Sequence, residues 1–109
     1  MNRTKKASVK EALRVSIVIP TYNEAANIPA LLKALSRACA SLKPHLFTVL
    51  FVDHNSPDGT AEKIRQLSKQ FSSSRFRITM LEQPGKTSLG AAYKAGFSKV
   101  LAGKSDYIV

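Results

Sequence analysis

The chain is poor in acid. Seven Asp and Glu stand against 17 Lys and Arg, a formal net charge of +10 over 109 residues. Such an excess favours anionic partners, whether nucleotides, phospholipid headgroups or nucleic acid, and does not choose among them. Nucleic acid finds no further support: there is no basic helix, no zinc-ligand spacing and no RNA-binding aromatic motif. Cysteine is scarcer still. Cys39 is alone, so an internal disulfide is excluded. On the apolar side of a predicted helix it reads as a small buried hydrophobe. Long apolar runs are missing too: the longest reach about six residues, as in Phe47 to Val52, far short of the ~20 of a membrane span. No apolar segment with a small-residue cleavage site follows the basic N-terminus, so no signal peptide is expected and a cytosolic location is the default.

Other absences remove particular chemistries. No glycine lies between Pro20 and Ile28, which excludes a G-x-G-x-x-G dinucleotide fingerprint after the first strand. The segment "PGKTS" lacks the glycine that a P-loop requires five residues before Gly85, where Met80 stands. No nucleophile elbow supports Ser-His-Asp hydrolysis. His54 lies beside Asp53 and near Asp58, but no other residue at ligand spacing joins them, and His45 precedes the second strand at the opposite edge of the sheet. A metal site built from these residues alone is not expected.

What is present is a regular alternation. Hydrophobic residues make up 44% of the chain, enough for one packed domain and against global disorder. Arg3, Lys5, Lys6 and Lys10 form a basic leader over residues 1–14, either a solvated tail or a membrane-surface contact. Val15 to Ile19 reads as a strand buried on both faces and ended by Pro20. Apolar residues then recur at helical spacing from Ile28 to Leu42, with Asn27 as the expected cap and Pro44 as the stop. Phe47 to Val52 is a second buried strand. Ser56 is the expected cap of a second helix, with Pro57 in its first turn and Ile64, Leu67 and Phe71 on its apolar face. Arg75 to Leu81 reads as a more polar strand near an edge. A third helix carries Leu89 to Leu101, and Tyr107-Ile108-Val109 begins a fourth strand.

The order β-α-β-α-β-α-β implies a parallel sheet with helices on its faces. Ligands of such open sheets bind beyond the carboxyl ends of the strands. Pro20 to Glu24 and Asp53 to Asp58 should meet there, so Asp53 at a strand tip can face a ligand. Tyr22 is either an ordinary loop aromatic or a stacking platform for a planar base. The chain stops inside an apolar run, which suggests the N-terminal part of a longer protein.

Three segments carry a resemblance. "VSIVIPTYNEAANIPALLKAL", "VDHNSPDGTAEKI" and "GKTSLGAAYKAGF" resemble, in order and spacing, the start of the family 2 glycosyltransferases of GT-A fold. Within that family the chain looks most like the dolichol-phosphate (polyprenol-phosphate) mannosyltransferases. The resemblance runs over residues 15–109 and implies the Rossmann-like, nucleotide-sugar-binding half of a GT-A domain, truncated. It implies that Pro20, Tyr22 and Glu24 line the pocket for the base and ribose of a GDP-sugar, with Val52, Asp53 and His54 on the second wall. Lys86 would lie near the diphosphate. It also implies mannose transfer from GDP-mannose to a dolichol or polyprenol phosphate with inversion, at the cytosolic face of a membrane. A divalent cation, Mg²⁺ or Mn²⁺, would be held by a D-x-D segment expected beyond Val109, where any catalytic base would also lie.

Two positions depart from the family pattern. His54 stands where relatives carry a second acid, and a neutral imidazole cannot accept two donors as a carboxylate does. Ser88 stands where relatives often have glycine. Transfer of another sugar, such as glucose, to a lipid phosphate is an alternative. So is a non-catalytic nucleotide-sugar-binding or scaffold protein.

Overall fold

The computed structural model describes residues 12–83, 88–101, 103 and 105–109. Lys86 and the basic leader's Arg3, Lys5, Lys6 and Lys10 lie outside them. The elements are β1 (Arg14–Thr21), α1 (Ile28–Ala40), β2 (Leu46–Asp53), α2 (Thr60–Phe71), β3 (Phe76–Glu82), α3 (Leu89–Leu101) and β4 (Tyr107–Ile108). All strand pairs are parallel, in the order β3-β2-β1-β4. The chain builds outward from β1 to β3, then returns through α3 to the other side of β1.

Period-two alternation sorts the side chains. Odd positions on β1 and β2 (Val15, Ile17, Ile19, Phe47, Val49, Phe51) pack with Ile28, Leu32 and Cys39 of α1 and Ile64 of α2. Even positions (Val18, Leu50, Val52) pack with Val100 of α3 on the opposite face. The sheet is therefore covered on both faces, which explains why β2 reads as a continuous apolar run. Cys39 is buried as expected, and burial raises its thiol pKa against a lowering influence from Arg75. Gly96 of α3 lies against the sheet: a Cβ there would stand 2.5 Å from Val18 Cγ1 and 2.9 Å from Val52 Cγ2.

Several local expectations change. Pro20 does not end β1. It sits within the strand, paired with Val52. Val18 turns its N–H to Val109 on the β4 side, at 2.9 Å. Two residues further, the donor that Pro20 lacks would point the same way, so no bond to β2 is lost. Asn27 occupies the N-cap position of α1 but makes no side-chain cap; its amide instead donates to Glu24 Oε1 at 2.9 Å. The N-cap of α2 is Gly59, in the left-handed region at φ 86°, not Ser56, and Pro57 lies outside the helix. Ser88, read from sequence only as a departure, accepts the Ala91 N–H at 3.0 Å and so caps α3.

Candidate functional site

The carboxyl ends of β1 and β2 bring the two predicted loops together. Thr21 pairs directly with Asp53 across the ladder. His54 N–H continues the pairing to the Thr21 carbonyl at 2.9 Å, and Gln83 N–H reaches the Asp53 carbonyl at 2.8 Å. Each loop then turns through an asparagine in the left-handed region, Asn23 and Asn55, both at φ 53°. Asparagine tolerates that conformation better than most residues.

Side chains lace the loops. Asp53 is buried, 1% exposed, and its carboxylate is well occupied. Oδ1 accepts the Thr21 hydroxyl at 2.8 Å and the Ser56 hydroxyl at 2.7 Å, and Oδ2 accepts the Ser56 N–H at 3.0 Å. A buried carboxylate needs such donors. Ser56 Oγ in turn accepts the Asn23 N–H at 2.9 Å. Thr60 Oγ1 accepts the Glu24 N–H at 3.0 Å, and Asp58 Oδ2 accepts the Ala25 N–H at 3.1 Å. Asp58 Oδ1 takes the Thr60 N–H at 3.0 Å and the Thr60 hydroxyl as well. The Thr60 hydroxyl above all, then the Ala25 and Thr60 amides, holds the Asp58 carboxyl below the usual range for aspartate, against an opposing desolvation.

The residues predicted to touch a ligand separate into two groups. Tyr22 is open, 54% exposed, and meets His54 edge-on with ring centroids 5.9 Å apart at 71°. Glu24 and His54 are half-buried at the same rim, and Pro20 is half-buried at the end of β1. Val52 and Asp53 are enclosed: Val52 sits under α3 with Val18 and Val100, and Asp53 sits beneath Ser56. Neither side chain forms an open wall, because β2 is covered on both faces up to its tip. The sequence places Asp53 to Asp58 at this edge but assigns no binding role to Ser56, Asp58 or Thr60. Their polar run S-P-D-G-T was the available signal, and it reads locally as helix-capping chemistry. A cavity of about 290 Å³, lined by Arg14, Ser16, Thr48 and Arg77 among others, lies at the opposite, amino end of the strands and is separate from this rim.

A parallel α/β sheet in the order β3-β2-β1-β4, with its first two β–α loops joined at the carboxyl edge, is compatible with a GT-A type of fold. The chain belongs to glycosyl transferase family 2, whose model matches residues 16–109. It is 35% identical over 91 residues to a polyprenol monophosphomannose synthase of Mycolicibacterium smegmatis, covering 84% of this chain and 31% of that protein. It is 35% identical over 95 residues to an undecaprenyl-phosphate 4-deoxy-4-formamido-L-arabinose transferase of Aeromonas hydrophila, covering 87% of this chain and 27% of that one. A dolichol-phosphate mannosyltransferase of Pyrococcus furiosus is 31% identical over 87 residues, covering 80% of this chain and 22% of the relative. The chain thus spans about a fifth to a third of the length of these relatives. The fold is shared with a mannosyltransferase from Pyrobaculum calidifontis, solved in complex with GDP-Man and Mn²⁺, at a TM-score of 0.62 and 20% identity, covering 91% of this chain and 27% of that one.

Among the described residues, no group of three or more His, Cys, Asp or Glu is placed to hold a metal ion. Two of the three acids at the rim are committed elsewhere, Asp53 to Thr21 and Ser56 and Asp58 to Ala25 and Thr60, which leaves Glu24, with the Asn27 amide on one oxygen, as a single carboxylate. These residues do not fit a divalent cation. Among the described residues no helix is long and apolar enough to cross a membrane.

Proposed function

We propose that the chain is the donor-binding part of a glycosyltransferase that moves mannose from GDP-mannose to a polyprenol or dolichol phosphate. The observation that carries this reading is the family match over residues 16–109, laid on two laced loops at the sheet's carboxyl edge. Tyr22 offers its exposed ring as a stacking face for the guanine. The Glu24 carboxylate, an acceptor only, takes ribose hydroxyls or base N–H groups beside the bond it receives from Asn27. His54 sets the edge of the base site from the head of the β2–α2 loop, beside the Tyr22 ring. Pro20 supports the floor from the end of β1. Val52 and Asp53 act from behind, by fixing the β2 tip and the Ser56 hydroxyl.

The role of these residues is to bind and orient; proton transfer and stabilisation of the leaving group belong to residues outside this set. A divalent cation in the manner of the Mn²⁺ in the Pyrobaculum structure would be held by residues outside this set. The lipid-phosphate acceptor and the +10 charge favour work at a membrane face, on its cytosolic side.

A second reading has its own support. The Aeromonas relative, named for a different sugar, is as similar as the mycobacterial one. His54 also alters the acid pair expected at the base site. Another sugar on a polyprenol phosphate therefore stands as the alternative. The test is transfer of radiolabelled sugar by the gene product to polyprenol phosphate. Label from GDP-mannose in the lipid phase supports mannosyl transfer. None from GDP-mannose, with transfer from a different nucleotide-sugar, moves the assignment to the second reading.

A further inference from the structure

The Asn23, Glu24 and Ala25 amides are successive, and each donates to a side chain of the other loop: Ser56 Oγ, Thr60 Oγ1 and Asp58 Oδ2. That pattern is not secondary structure. The segment between β1 and α1 is irregular, and its own turn satisfies only the later donors: Asn27 N–H and Ile28 N–H both go to the Glu24 carbonyl, at 2.8 and 3.1 Å. Without the second loop, three adjacent amides would turn to water and the residues between them would lose their fixed direction. Glu24 is one of those residues and Tyr22 immediately precedes them; both stand at the rim, Tyr22 open and Glu24 half-buried.

Asp58 holds the centre of this arrangement although it is exposed. Its Oδ1 closes a turn onto Thr60, which aims the Thr60 hydroxyl at Glu24 N–H. Its Oδ2 crosses to Ala25. One carboxylate thereby supports two of the three pins, and Ser56, anchored on buried Asp53, supplies the third. An exposed loop aspartate is ordinarily neutral to substitution; this one ties two loops together.

We propose that Asp58 is a positioning residue for the donor site: with Ser56 and Thr60 it pins three consecutive amides and so fixes where Tyr22 and Glu24 meet the nucleotide. This rests on the donor-site reading above. A loop that is competent only part of the time binds more weakly by that fraction, with no contact to the ligand removed. Asp58→Asn keeps one acceptor oxygen for Thr60 and loses the one for Ala25, so the Ala25 pin fails without removing bulk, and Ser56→Ala removes the Asn23 pin.

The test uses the 109-residue chain, its Asp58→Asn and Ser56→Ala forms, and Val100→Ala as a control that destabilises the far side of the sheet. Amide hydrogen exchange reads the pins directly, and calorimetry with GDP reads their consequence, each at a temperature where every form is folded. Expected are exchange at Ala25 at least about tenfold faster in Asp58→Asn and at Asn23 in Ser56→Ala, GDP binding weaker by about tenfold in either, and unchanged GDP affinity in Val100→Ala. Unchanged exchange at those amides overturns the proposal. Faster exchange with GDP affinity within twofold of wild type overturns it as well, since the pins would then be structural only. Absence of GDP binding by the wild-type chain overturns the donor reading itself, and the positioning role with it, whatever the exchange data show.

Discussion

Replacing Gly96 with alanine should destabilise the chain, although alanine is the better helix former. The added Cβ would lie 2.5 Å from Val18 Cγ1 and 2.9 Å from Val52 Cγ2, well inside contact distance. Neither neighbour can easily yield. Both are β-branched, with few rotamers open to them, and both are buried in the layer between sheet and α3. Overpacking of this kind costs about 1–3 kcal/mol, and two simultaneous clashes belong at the upper end. Removing glycine from a helix interior returns about 1 kcal/mol. The net loss is then about 1–2 kcal/mol. At roughly 2.1 cal/mol/K of unfolding entropy per residue, 109 residues give about 0.23 kcal/mol per degree, so Tm falls by about 4–9 °C. Thermal unfolding followed by circular dichroism measures this. A cycle with Val18→Ala, which removes the nearer methyl, should show the double variant less destabilised than the sum, by about 1 kcal/mol. An unchanged or raised Tm for Gly96→Ala would refute the close packing of α3 on the sheet. A strictly additive cycle would refute the assignment of the strain to Val18.

Three more outcomes follow from single contacts. His54→Asp supplies the second acid that the family resemblance leads one to expect, and it should shift the ratio of GDP to UDP affinity toward GDP by severalfold in calorimetric titrations; an identical ratio would show that His54 does not touch the base. Asp58 has a folded-state pKa below its unfolded value, so its contribution is complete above the unfolded pKa and is lost as pH falls through the lowered one. The Ala25 amide resonance should accordingly titrate with a midpoint below the ordinary aspartate value of 3.8, and a midpoint at or above that value would contradict the bond. Ser88→Ala removes the α3 cap and should cost about 1 kcal/mol, or about 4 °C in Tm; no change would mean that the first turn of α3 finds another acceptor for Ala91 N–H.

The layer structure was legible because it is written in local periodicity. Phe47 to Val52 and the Ile28–Leu32–Leu35–Cys39 spacing give strand and helix without knowledge of partners. The strand tips were placed for the same reason, since alternation of strands and helices fixes which ends hold ligands. The loops are less legible in detail. Ser56, Asp58 and Thr60 have the composition of a helix start, and nothing in a linear reading shows that their acceptors are spent on Asn23, Glu24 and Ala25, some 33–36 positions away. Asn27 has the composition of an N-cap, yet its side chain makes none and its amide goes to Glu24 instead. Val52 and Asp53 belong to a resemblance that names positions along the chain. How deeply a side chain at such a position is enclosed depends on α3 and on Ser56, which the motif does not encode.

The central claim is that the β1–α1 and β2–α2 loops together grip the nucleoside of an activated sugar. Its most direct test is titration of the ¹⁵N-labelled chain with GDP, following backbone amides. Saturable shifts concentrated at residues 22–25 and 53–58, absent with inorganic phosphate alone, are the predicted result. Shifts confined to the amino ends of the strands, around Arg14 and Arg77, or none at either loop at millimolar GDP, would contradict the account.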